Sequence, residues 1–443
     1  MHVSNTKENI FLFLGDILIF VISLFGMLFF RYLQVPEVAL VYSHVIPFSI
    51  LFVVWVLVFF IAGLYEKHTI LLKNKLSSII LNAQIVNSVI AVLFFYFIPY
   101  FGITPKTNLF IYLVVSFPFI FAWRLYGFPF LAKHKRQSAL LIGGGQDMVD
   151  LKREVNMNSR YKFHFVSNID PDDIGGLDFQ EEILKQVYAS NIQVVAVDLS
   201  SEKIEPVLPH LYNLIFSKIR FIDAYKIYED IFDRVPLSLV RYNWFLENVS
   251  TSPQITYGVL KRVMDVTLAL VVGVGALAVF PFVVLAIKLD DKGSVFFYQD
   301  RIGENNQPIR IVKFRTMGVS GGGEKDITKV GAFLRKTRID ELPQLWNVLK
   351  GDLSMIGPRP EIPTLINQYT KEIPYYSIRH LIKPGLSGWA QLYHENHPHH
   401  QSDVVETKVK LSYDLYYVKN RSFVLDVKIA LKTLKKIVSR SGL

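Results

Sequence analysis

The sequence contains no cysteine. This absence excludes disulfide bonds, thiolate catalysis and cysteine-ligated metal or iron–sulfur centres, and it fits a reducing cytoplasm. Charged residues are also scarce, at 19% of the chain, whereas hydrophobic residues make up 51% of it. A chain of 443 residues with this composition has room for two or three domains and is expected to contain membrane segments.

Acidic residues are fewer than basic ones, 38 against 48, which gives a formal net charge of +10. This balance suits contact with anionic lipid headgroups, phosphates or nucleic acid, and charge alone does not choose among them. The first apolar run lacks a small-residue cleavage site and is followed by further runs of the same kind. We therefore expect it to be retained as a membrane helix and not removed as a signal peptide.

Four stretches near the start of the chain are long and apolar enough to cross a bilayer as helices, which requires roughly 20 residues each. They run from about Ile10 to Phe30, Val45 to Leu64, Ile79 to Ile98 and Leu109 to Leu131. Basic residues cluster after the second and fourth stretches, at Lys67, Lys73, Lys75, Lys133, Lys135 and Arg136. The positive-inside rule then predicts a membrane bundle of four helices, residues 1–134, with both of its ends in the cytoplasm.

Residues 135–252 show the alternation of short apolar strands and amphipathic helices that is typical of a soluble α/β domain. The segment SALLIGGGQD predicts a buried strand that enters a glycine-rich turn, and KFHFVSNI and IQVVAVDL predict further strands. This order indicates a Rossmann-like domain. Gly143, Gly144 and Gly145 belong either to a dinucleotide-binding fingerprint or to a tight turn in a domain without a cofactor. Met148 stands where the fingerprint requires a third glycine or alanine, which favours the second interpretation.

A fifth apolar run, from about Val263 to Leu289, belongs to a last domain that covers residues 253–443. Basic residues stand at both ends of the run, as in a helix that enters and leaves the same leaflet, at Lys261, Arg262, Lys288 and Lys292. Pro281 lies inside the run, removes a backbone donor and predicts a kink. The run is also long enough for a simple spanning helix, and the local sequence leaves both alternatives open.

The region after this run is basic, with arginine at positions 301, 310, 315, 335, 338, 359 and 379. Planar guanidinium groups bind phosphate oxygens, although a solvated basic face is the alternative for any single arginine. The segment from Ile339 to Pro343 predicts the opening of a helix, because proline is accepted in a first turn and LPQLWNVL is amphipathic. Asp340 would lie at the positive end of the helix dipole, which favours an ionised carboxylate. It is there either a phosphoryl-accepting nucleophile or an ordinary N-cap.

Several motifs of this region occur together in one order: KRVMDVTLAL, QDRIG, KFRTM, DELPQLWNVLKGDLSMIGPRPE and PGLSGWAQ. Together they resemble the monotopic phosphoglycosyl transferases, the bacterial sugar transferase family that begins capsule, O-antigen and exopolysaccharide assembly. The resemblance covers about Thr256 to the C-terminus. The whole arrangement is similar to the long-form members, which carry four membrane helices and a Rossmann-like domain before an α-rich catalytic domain and use undecaprenyl phosphate.

The resemblance implies that Asp340 is the nucleophile and Glu341 its partner carboxylate, both at a Mg²⁺ site. Asp340 would attack the β-phosphate of a UDP-sugar, displace UMP and hold the sugar phosphate until undecaprenyl phosphate accepts it. The residues implied to bind substrate or phosphate are Lys313, Arg315, Arg335, Arg338, Pro358, Arg359 and Gln391. A re-entrant helix over about residues 260–289, kinked at Pro281, would hold the catalytic domain on the cytoplasmic face of the bacterial inner membrane. The implied partners are a UDP-sugar, undecaprenyl phosphate and membrane lipids but no nucleic acid, and a homodimer is left open.

Two positions depart from the family pattern. Phe280 precedes Pro281, where the family commonly has serine, and the segment LYHE at residues 392–395 replaces a usual basic V-N-G-R element. The same loop carries histidines that indicate either a metal site of unusual spacing or an exposed polar loop, at His394, His397, His399 and His400. The last segment, SFVLDVKIALKTLKKIVSR, predicts either an interfacial helix or a helix packed on the catalytic domain.

Two rival functions fit parts of the sequence. A membrane-anchored NAD-dependent epimerase or dehydratase of nucleotide sugars would use the glycine-rich turn, and Tyr257 and Lys261 supply a Y-x-x-x-K pattern, although far from that turn. A non-enzymatic assembly scaffold would use the four-helix bundle, in which Asp16 and Arg124 are the evident intramembrane charges. The sequence does not identify the sugar.

Overall fold

The computed structural model describes residues 6–65, 73–98, 105–128, 136–158, 161–170, 176–199, 202, 204–205, 208–249, 255–291, 293–318, 327–394 and 403–439. Contacts divide the chain into two compact units, Met1–Ile231 and Phe232–Leu443. Three of the histidines in the predicted polar loop, His397, His399 and His400, lie outside the described residues.

The first unit begins with long apolar helices. In order these are α1 (Thr6–Tyr32), α2 (Val38–Ile61), α3 (Lys73–Phe97) and α4 (Pro105–Ala122), and α4 continues as a π-helical turn, Trp123–Gly127. Each has the length and hydropathy to cross a bilayer. The predicted apolar stretches overlap these helices, except that the end of the fourth, at Leu131, lies outside the described residues. Aromatic side chains fill the space between the helices, at Phe20, Phe48, Phe52, Trp55 and Phe59.

A buried ion pair joins α1 to the π-helical turn after α4. Arg124 Nε donates to Asp16 Oδ1 at 3.1 Å, and Arg124 Nη1 donates to Leu64 O at 2.7 Å. Tyr65 OH donates to Asp16 Oδ2 at 2.8 Å. Charges inside a bilayer are costly unless they are paired, so this contact fixes α1, α4 and the end of α2 relative to one another.

The first unit also contains a four-stranded sheet in which all adjacent strands are parallel. Its strands are β1 (Gln137–Ile142), β2 (Phe163–Ile169), β3 (Val194–Val197) and β4 (Arg220–Asp223), in the spatial order β2-β1-β3-β4. The helices that connect and follow them are α5 (Gln146–Met157), α6 (Gly176–Ala189), α7 (Leu208–Asn213) and α8 (Ala224–Phe232). The predicted α/β texture is therefore confirmed as a parallel-sheet domain, with its two central strands buried.

The glycine-rich turn between β1 and α5 packs against its own domain. Gly145 has a φ of +86°, a left-handed conformation that glycine adopts without strain. A Cβ atom on Gly144 would lie 2.4 Å from Asp170 Oδ1, so the turn approaches a carboxylate closely. Asp170 directly follows β2, the place from which an acidic residue binds a ribose hydroxyl in dinucleotide-binding domains, so this contact leaves both interpretations of the turn open.

The second unit combines helices with two small sheets. Its helices are α9 (Tyr242–Asn248), α10 (Ile255–Asp291), α11 (Lys329–Thr337), α12 (Leu345–Lys350), α13 (Pro363–Glu372), α14 (Trp389–Tyr393), α15 (Val404–Asn420) and α16 (Phe423–Ser439). Two antiparallel strands form a hairpin, β5 (Phe296–Ile302) and β6 (Pro308–Phe314), and two short strands pair in parallel, β7 (Ser354–Ile356) and β8 (Gly385–Ser387).

The second unit starts earlier than the predicted last domain. Residues 232–249, which the sequence analysis assigns to the middle domain, pack with the second unit. Trp389 Nε1 donates to Asp233 O at 2.8 Å, and Val235 N donates to Ser412 O at 3.0 Å. These bonds attach the segment before α10 to α14 and α15.

Both ends of α10 pack on the second unit, while its middle is exposed. Near the start of the helix, Asp265 Oδ1 accepts a hydrogen bond from Met355 N at 2.9 Å. At its far end, Asp290 Oδ2 accepts from Val330 N at 3.2 Å. Residues 270–282 between these contacts are apolar and mostly exposed. The two ends of the helix are therefore attached to the rest of the unit, and the apolar segment between them is exposed.

Aromatic packing holds α10 beside its internal proline. The ring of Phe280 lies 5.5 Å from that of Phe314 and 6.0 Å from that of Phe296, measured between centroids. Phe280 therefore attaches the residue before Pro281 to the β5–β6 hairpin.

The last helix, α16, buries Ile429 in the core of the unit and directs two of its lysines at aromatic rings of α14. Lys428 Nζ lies 5.0 Å from the Trp389 ring centroid, and Lys432 Nζ lies 4.4 Å from that of Tyr393. On the open side, Val424 is 77% exposed. Leu434 and Ile437 are also exposed. The helix packs on the domain, as one predicted alternative requires, and its exposed side carries these apolar residues together with Lys435.

Candidate active site

The segment that carries the two predicted catalytic carboxylates follows a sharp break between helices. Arg338 ends α11 in a left-handed conformation, with φ of 58°, which only a few per cent of non-glycine residues adopt. A 3₁₀ turn, Ile339–Gln344, comes next and leads into α12. The predicted helix opening is therefore present, but its first turn is 3₁₀. Asp340 lies in this turn and is only 8% exposed.

Asn347 fixes α12 against strand β6. Its Oδ1 accepts from Val312 N at 3.2 Å, and its Nδ2 donates to Arg310 O at 2.8 Å, so the side chain bonds to the strand as a neighbouring strand would. Lys313 is the next residue of β6, and its Nζ donates to Glu341 Oε1 at 3.0 Å. The amide of Asn347 therefore sets the register that brings this lysine to the carboxylate.

Glu341 is surrounded by cations. Besides Lys313, Arg359 Nη2 lies 2.8 Å and Arg338 Nη1 lies 4.0 Å from Glu341 Oε1. Burial raises the pKa of Glu341, but the attraction of Arg359, Lys313 and Arg338 outweighs it and holds that pKa well below its usual range. Glu341 is therefore ionised at neutral pH, and its charge is balanced locally.

Asp340, next in sequence, has a different environment. Within the described residues, no donor lies within hydrogen-bonding distance of its buried Oδ1. Burial and then the neighbouring charge of Glu341 raise the pKa of Asp340, although Lys313, Arg338 and Arg335 act in the opposite direction. The sequence predicts that the helix dipole favours the ionised form, whereas here burial outweighs such effects. Oδ1 of Asp340 is therefore buried and accepts no hydrogen bond from the described residues, and the carboxyl group is a weaker acid than usual.

The other predicted phosphate-binding residues occupy different places. Arg335 Nε donates to Thr316 Oγ1 at 2.9 Å and still bears electrostatically on Asp340. The guanidinium of Arg315 lies against Gly293, after α10. Gln391 Nε2 donates to Leu386 O at 3.5 Å, on the β8 side of the unit. The structure thus brings Lys313, Arg338 and Arg359 onto Glu341, and the described contacts of Arg315 and Gln391 lie elsewhere.

Pro358 belongs to a loop that packs backbone against backbone on the segment containing β8. Gly385 N donates to Pro358 O at 2.9 Å, and Gly357 N donates to Ser387 O at 2.8 Å. A Cβ atom on Gly385 would lie 2.1 Å from Gly357 N, so only glycine permits this approach. The motifs GPRP and PGLSG, which lie far apart in sequence, therefore form one structural element that carries Arg359.

Metal-binding groups are sparse in the part of the chain that the structure describes. No group of three or more histidine, aspartate or glutamate side chains there is arranged to hold a metal ion. Asp340 and Glu341 are the two adjacent carboxylates, which fits Mg²⁺, because that ion is usually held by one or two carboxylates together with substrate phosphates. His394 Nε2 lies 2.6 Å from Glu406 Oε2, an ion-pair contact when the histidine is protonated.

The tyrosine–lysine pattern of the rival dehydratase hypothesis has a structural role here. Tyr257 OH donates to Asp426 Oδ2 at 2.9 Å, and Lys261 Nζ lies 3.0 Å from the same oxygen. Lys261 Nζ also donates to Ile356 O at 2.9 Å. These contacts attach the start of α10 to α16 and β7.

Comparison with known proteins places residues 256–440 in the family described as Bacterial sugar transferase. The chain is 42% identical over 206 residues to the UDP-N-acetylgalactosamine-undecaprenyl-phosphate N-acetylgalactosaminephosphotransferase of Aeromonas hydrophila, a match that covers 44% of this chain and 47% of that protein. It is 38% identical over 187 residues to the UDP-glucose:undecaprenyl-phosphate glucose-1-phosphate transferase of Escherichia coli K12, with 40% of each chain covered. These matches span about half or less of the length of either relative.

A shorter relative is matched almost throughout. The sugar transferase EpsL of Bacillus subtilis, itself uncharacterized, is 38% identical over 192 residues, which cover 42% of this chain and 90% of EpsL. The family match, residues 256–440, contains α10 apart from Ile255, the carboxylate pair and the three cations Lys313, Arg338 and Arg359. The chain therefore belongs to the bacterial sugar transferase family.

Proposed function

We propose that this protein transfers a sugar 1-phosphate from a UDP-sugar to undecaprenyl phosphate, with release of UMP, and so begins the synthesis of a surface polysaccharide. The observation that carries the proposal is the division of labour between adjacent carboxylates. Asp340 keeps a buried oxygen free of donors, while three cations balance the charge of Glu341. The names of the Aeromonas and Escherichia coli relatives support the same reaction class.

In the first half-reaction, Asp340 Oδ1 forms a bond to the β-phosphorus of the UDP-sugar. The bond between that phosphorus and the oxygen bridging to the α-phosphate breaks, and UMP leaves with this oxygen. The sugar phosphate is then held as an acyl phosphate on Asp340. In the second half-reaction, an oxygen of undecaprenyl phosphate attacks the same phosphorus, breaks its bond to Asp340 and restores the carboxylate.

The cations around Glu341 have a defined task in this scheme. Arg359, Lys313 and Arg338 form a positive rim beside Asp340, which favours the approach of a diphosphate to an anionic nucleophile. Glu341 keeps this rim assembled before the donor binds. Asp340 and Glu341 would also hold Mg²⁺, which, when bound, neutralises charge on the diphosphate.

Two helices, α10 and α16, support the proposed membrane placement. We propose that α10 enters and leaves one leaflet, because both of its ends are attached to the second unit and its middle is apolar and exposed. The exposed apolar side chains of α16, with Lys435 among them, would lie at the headgroup level. In this arrangement the second unit faces the cytoplasm at the inner membrane, where a soluble nucleotide sugar and a lipid phosphate meet. The N-terminal helices would form a four-helix bundle, and the parallel sheet a Rossmann-like domain without a cofactor.

UMP release from a panel of UDP-sugars tests the proposal. Purified protein with undecaprenyl phosphate and Mg²⁺ should release UMP and form a lipid-linked sugar phosphate from one donor among UDP-glucose, UDP-galactose and their N-acetylated counterparts. Asp340→Asn should reduce both products by at least about 10³-fold. Asp300→Asn, an exposed position of β5 in the same unit, serves as the matched control and should leave both products unchanged. Full UMP release by Asp340→Asn would refute the nucleophile assignment.

A further inference from the structure

The loop that carries Arg359 is held by four successive backbone carbonyls. Each carbonyl of residues 358–361 accepts one hydrogen bond, in order from Gly385 N at 2.9 Å, Arg379 Nη2 at 3.0 Å, Arg301 Nη1 at 3.0 Å and Ile302 N at 3.0 Å. Pro358 and Pro360 have no backbone N–H and a fixed φ, so the carbonyls are the groups through which this backbone is held. Two of the four donors are arginine side chains.

Arg379 is held by several groups besides the carbonyl of Arg359. It is 1% exposed, and its Nη1 donates to Tyr376 OH at 2.7 Å. Its Nη1 also lies 3.3 Å from Glu361 Oε1, and its Nη2 lies 2.7 Å from Asp414 Oδ2. A guanidinium fixed in its plane by these groups and Arg359 O has no freedom to move onto a nucleotide phosphate.

Arg301, from the QDRIG motif, is held in a comparable way. Its Nε and Nη2 both donate to Gln299 Oε1, at 3.2 and 2.7 Å, which leaves Nη1 directed at Pro360 O. The next residue, Ile302, donates its backbone N–H to Glu361 O. The motif thus supplies two of the four donors, one from a side chain and one from the backbone.

Resting on the function proposed above, we propose that Arg301 and Arg379 are positioning residues that keep the guanidinium of Arg359 on Glu341 and away from Asp340. Asp340 Oδ1 is a buried carboxyl oxygen without a donor, one residue from the carboxylate that Arg359 binds at 2.8 Å. An arginine on a loose loop would pair with that oxygen and occupy the nucleophile. The hydrogen bonds to the four carbonyls hold the loop in place, so Arg359 stays paired with Glu341 and does not move onto Asp340 Oδ1.

A double-mutant cycle distinguishes positioning from direct phosphate binding. Arg301→Met and Arg379→Lys should each lower kcat/KM for UMP release by about 10- to 100-fold, the cost of a small misplacement at a reacting centre. In an Arg359→Ala background the same changes should cause no further loss, because their effect passes through Arg359. The matched control is Arg241→Lys, since exposed Arg241 Nη1 also donates to backbone carbonyls, those of Ser238 and Val240, at 3.3 and 3.4 Å. It should keep full activity.

Losses that multiply in the Arg359→Ala background would overturn the proposal, because they would show that Arg301 and Arg379 act on the substrate or the fold directly. Arg379 is fully buried, so Arg379→Lys is interpreted only if it retains the native melting temperature. If Arg379→Lys lowers the melting temperature, the test uses Arg301→Met alone, because Arg301 is partly exposed.

A second measurement does not depend on activity. The stabilisation that Arg359 and Glu341 give each other is obtained from the melting temperatures of Arg359→Ala, Glu341→Gln and the double variant. Repeated with Arg301→Met, the cycle should give a smaller mutual stabilisation, and an unchanged one would contradict the positioning role. If the wild-type protein releases UMP from no donor, the proposed function fails, and this thermal cycle alone decides the positioning role.

Discussion

At the scale of single residues, two neighbouring carboxylates differ because of their surroundings. Three cations lower the pKa of Glu341, whereas burial and the charge of Glu341 raise that of Asp340. Pairs of acids whose environments separate their pKa values are typical of catalytic sites. Here the separation leaves one carboxylate to organise cations and the other with an oxygen free to react.

The first prediction concerns the acid limb of the pH profile. In the proposed mechanism Asp340 reacts as the carboxylate, so UMP release should fall as the pH drops through the pKa of Asp340, which burial raises above its ordinary value of 3.8 in the metal-free protein. Lys313→Met removes a cation that lowers this pKa and should move the acid limb to higher pH. Glu341→Gln removes the negative neighbour of Asp340. The acid limb of the UMP release that this variant retains should therefore move to lower pH. Pre-steady-state UMP release over a pH series measures both shifts, and shifts of the opposite sign would contradict the assignment.

The second prediction concerns stability. Because the folded-state pKa of Asp340 is raised, its contribution to stability is fully present below the unfolded-state pKa and is lost as the pH rises through the folded-state pKa. At pH 7 the ionised side chain therefore destabilises the fold, and Asp340→Asn should raise the melting temperature by roughly 2–4 °C. The gain should disappear near about pH 3, where both states bind the proton. A lower melting temperature at neutral pH would show that Asp340 stabilises the fold.

Sequence reasoning reached part of this site. The motifs predict Asp340, Glu341, Lys313 and Arg359, which the structure brings together. They do not predict Asn347, because its role depends on the tertiary contact of α12 with β6. In the sequence, Arg301 of QDRIG and Arg379 cannot be told apart from the arginines expected to bind phosphate. In the structure, both donate to backbone carbonyls instead. The acidic residue directly after GPRP, Glu361, is the one local sign of a buried ion network in this basic region.

At the scale of elements, α10 is the part of the second unit that would meet the membrane in the proposed arrangement. Composition alone predicts its apolar run, but the choice between spanning and re-entrant forms depends on what its two ends contact. That information lies in Asp265, Asp290 and their distant partners, so no local pattern contains it. The left-handed conformation of Arg338 was likewise not predictable, since glycine is the usual residue at such a helix end.

The third prediction tests the re-entrant form of α10. The absence of native cysteine allows single cysteines to be introduced without background. Gly258→Cys is suitable because a Cβ atom there meets nothing within 4 Å, and Ser294 is exposed beyond the far end of the helix. An impermeant thiol reagent should label Gly258→Cys and Ser294→Cys from the same side of inverted membrane vesicles. Labelling from opposite sides would establish a spanning helix.

At the scale of the whole molecule, the second unit contains the family match and the complete carboxylate site. The family match covers residues 256–440, and 42% of this chain is enough to match 90% of EpsL. The contacts of residues 232–249 show that the unit includes a segment before α10. The polar break in the sequence before residue 253 does not reveal this earlier start. The N-terminal helices and the parallel sheet lie outside the family match, so we predict that the chemistry proposed here does not require them.

The fourth prediction follows from that boundary. A truncated chain beginning at Phe232 should fold and release UMP, because it retains every residue placed at the site. A chain beginning at residue 255 should have a lower melting temperature, since it loses the bonds of Asp233 and Val235 to α14 and α15. Equal melting temperatures would show that the segment before α10 contributes nothing to the stability of the unit. Loss of UMP release from the longer truncated chain would mean that the first unit is required for the chemistry.

The central claim is that Asp340 becomes covalently phosphorylated by the donor, and intact-protein mass spectrometry tests it most directly. After incubation with the active UDP-sugar and Mg²⁺, but without the lipid acceptor, the protein should gain the mass of one sugar phosphate. The added mass should map to the peptide containing Asp340 and disappear when undecaprenyl phosphate is supplied. A protein that produces lipid-linked sugar phosphate and UMP without ever showing this adduct would contradict the mechanism.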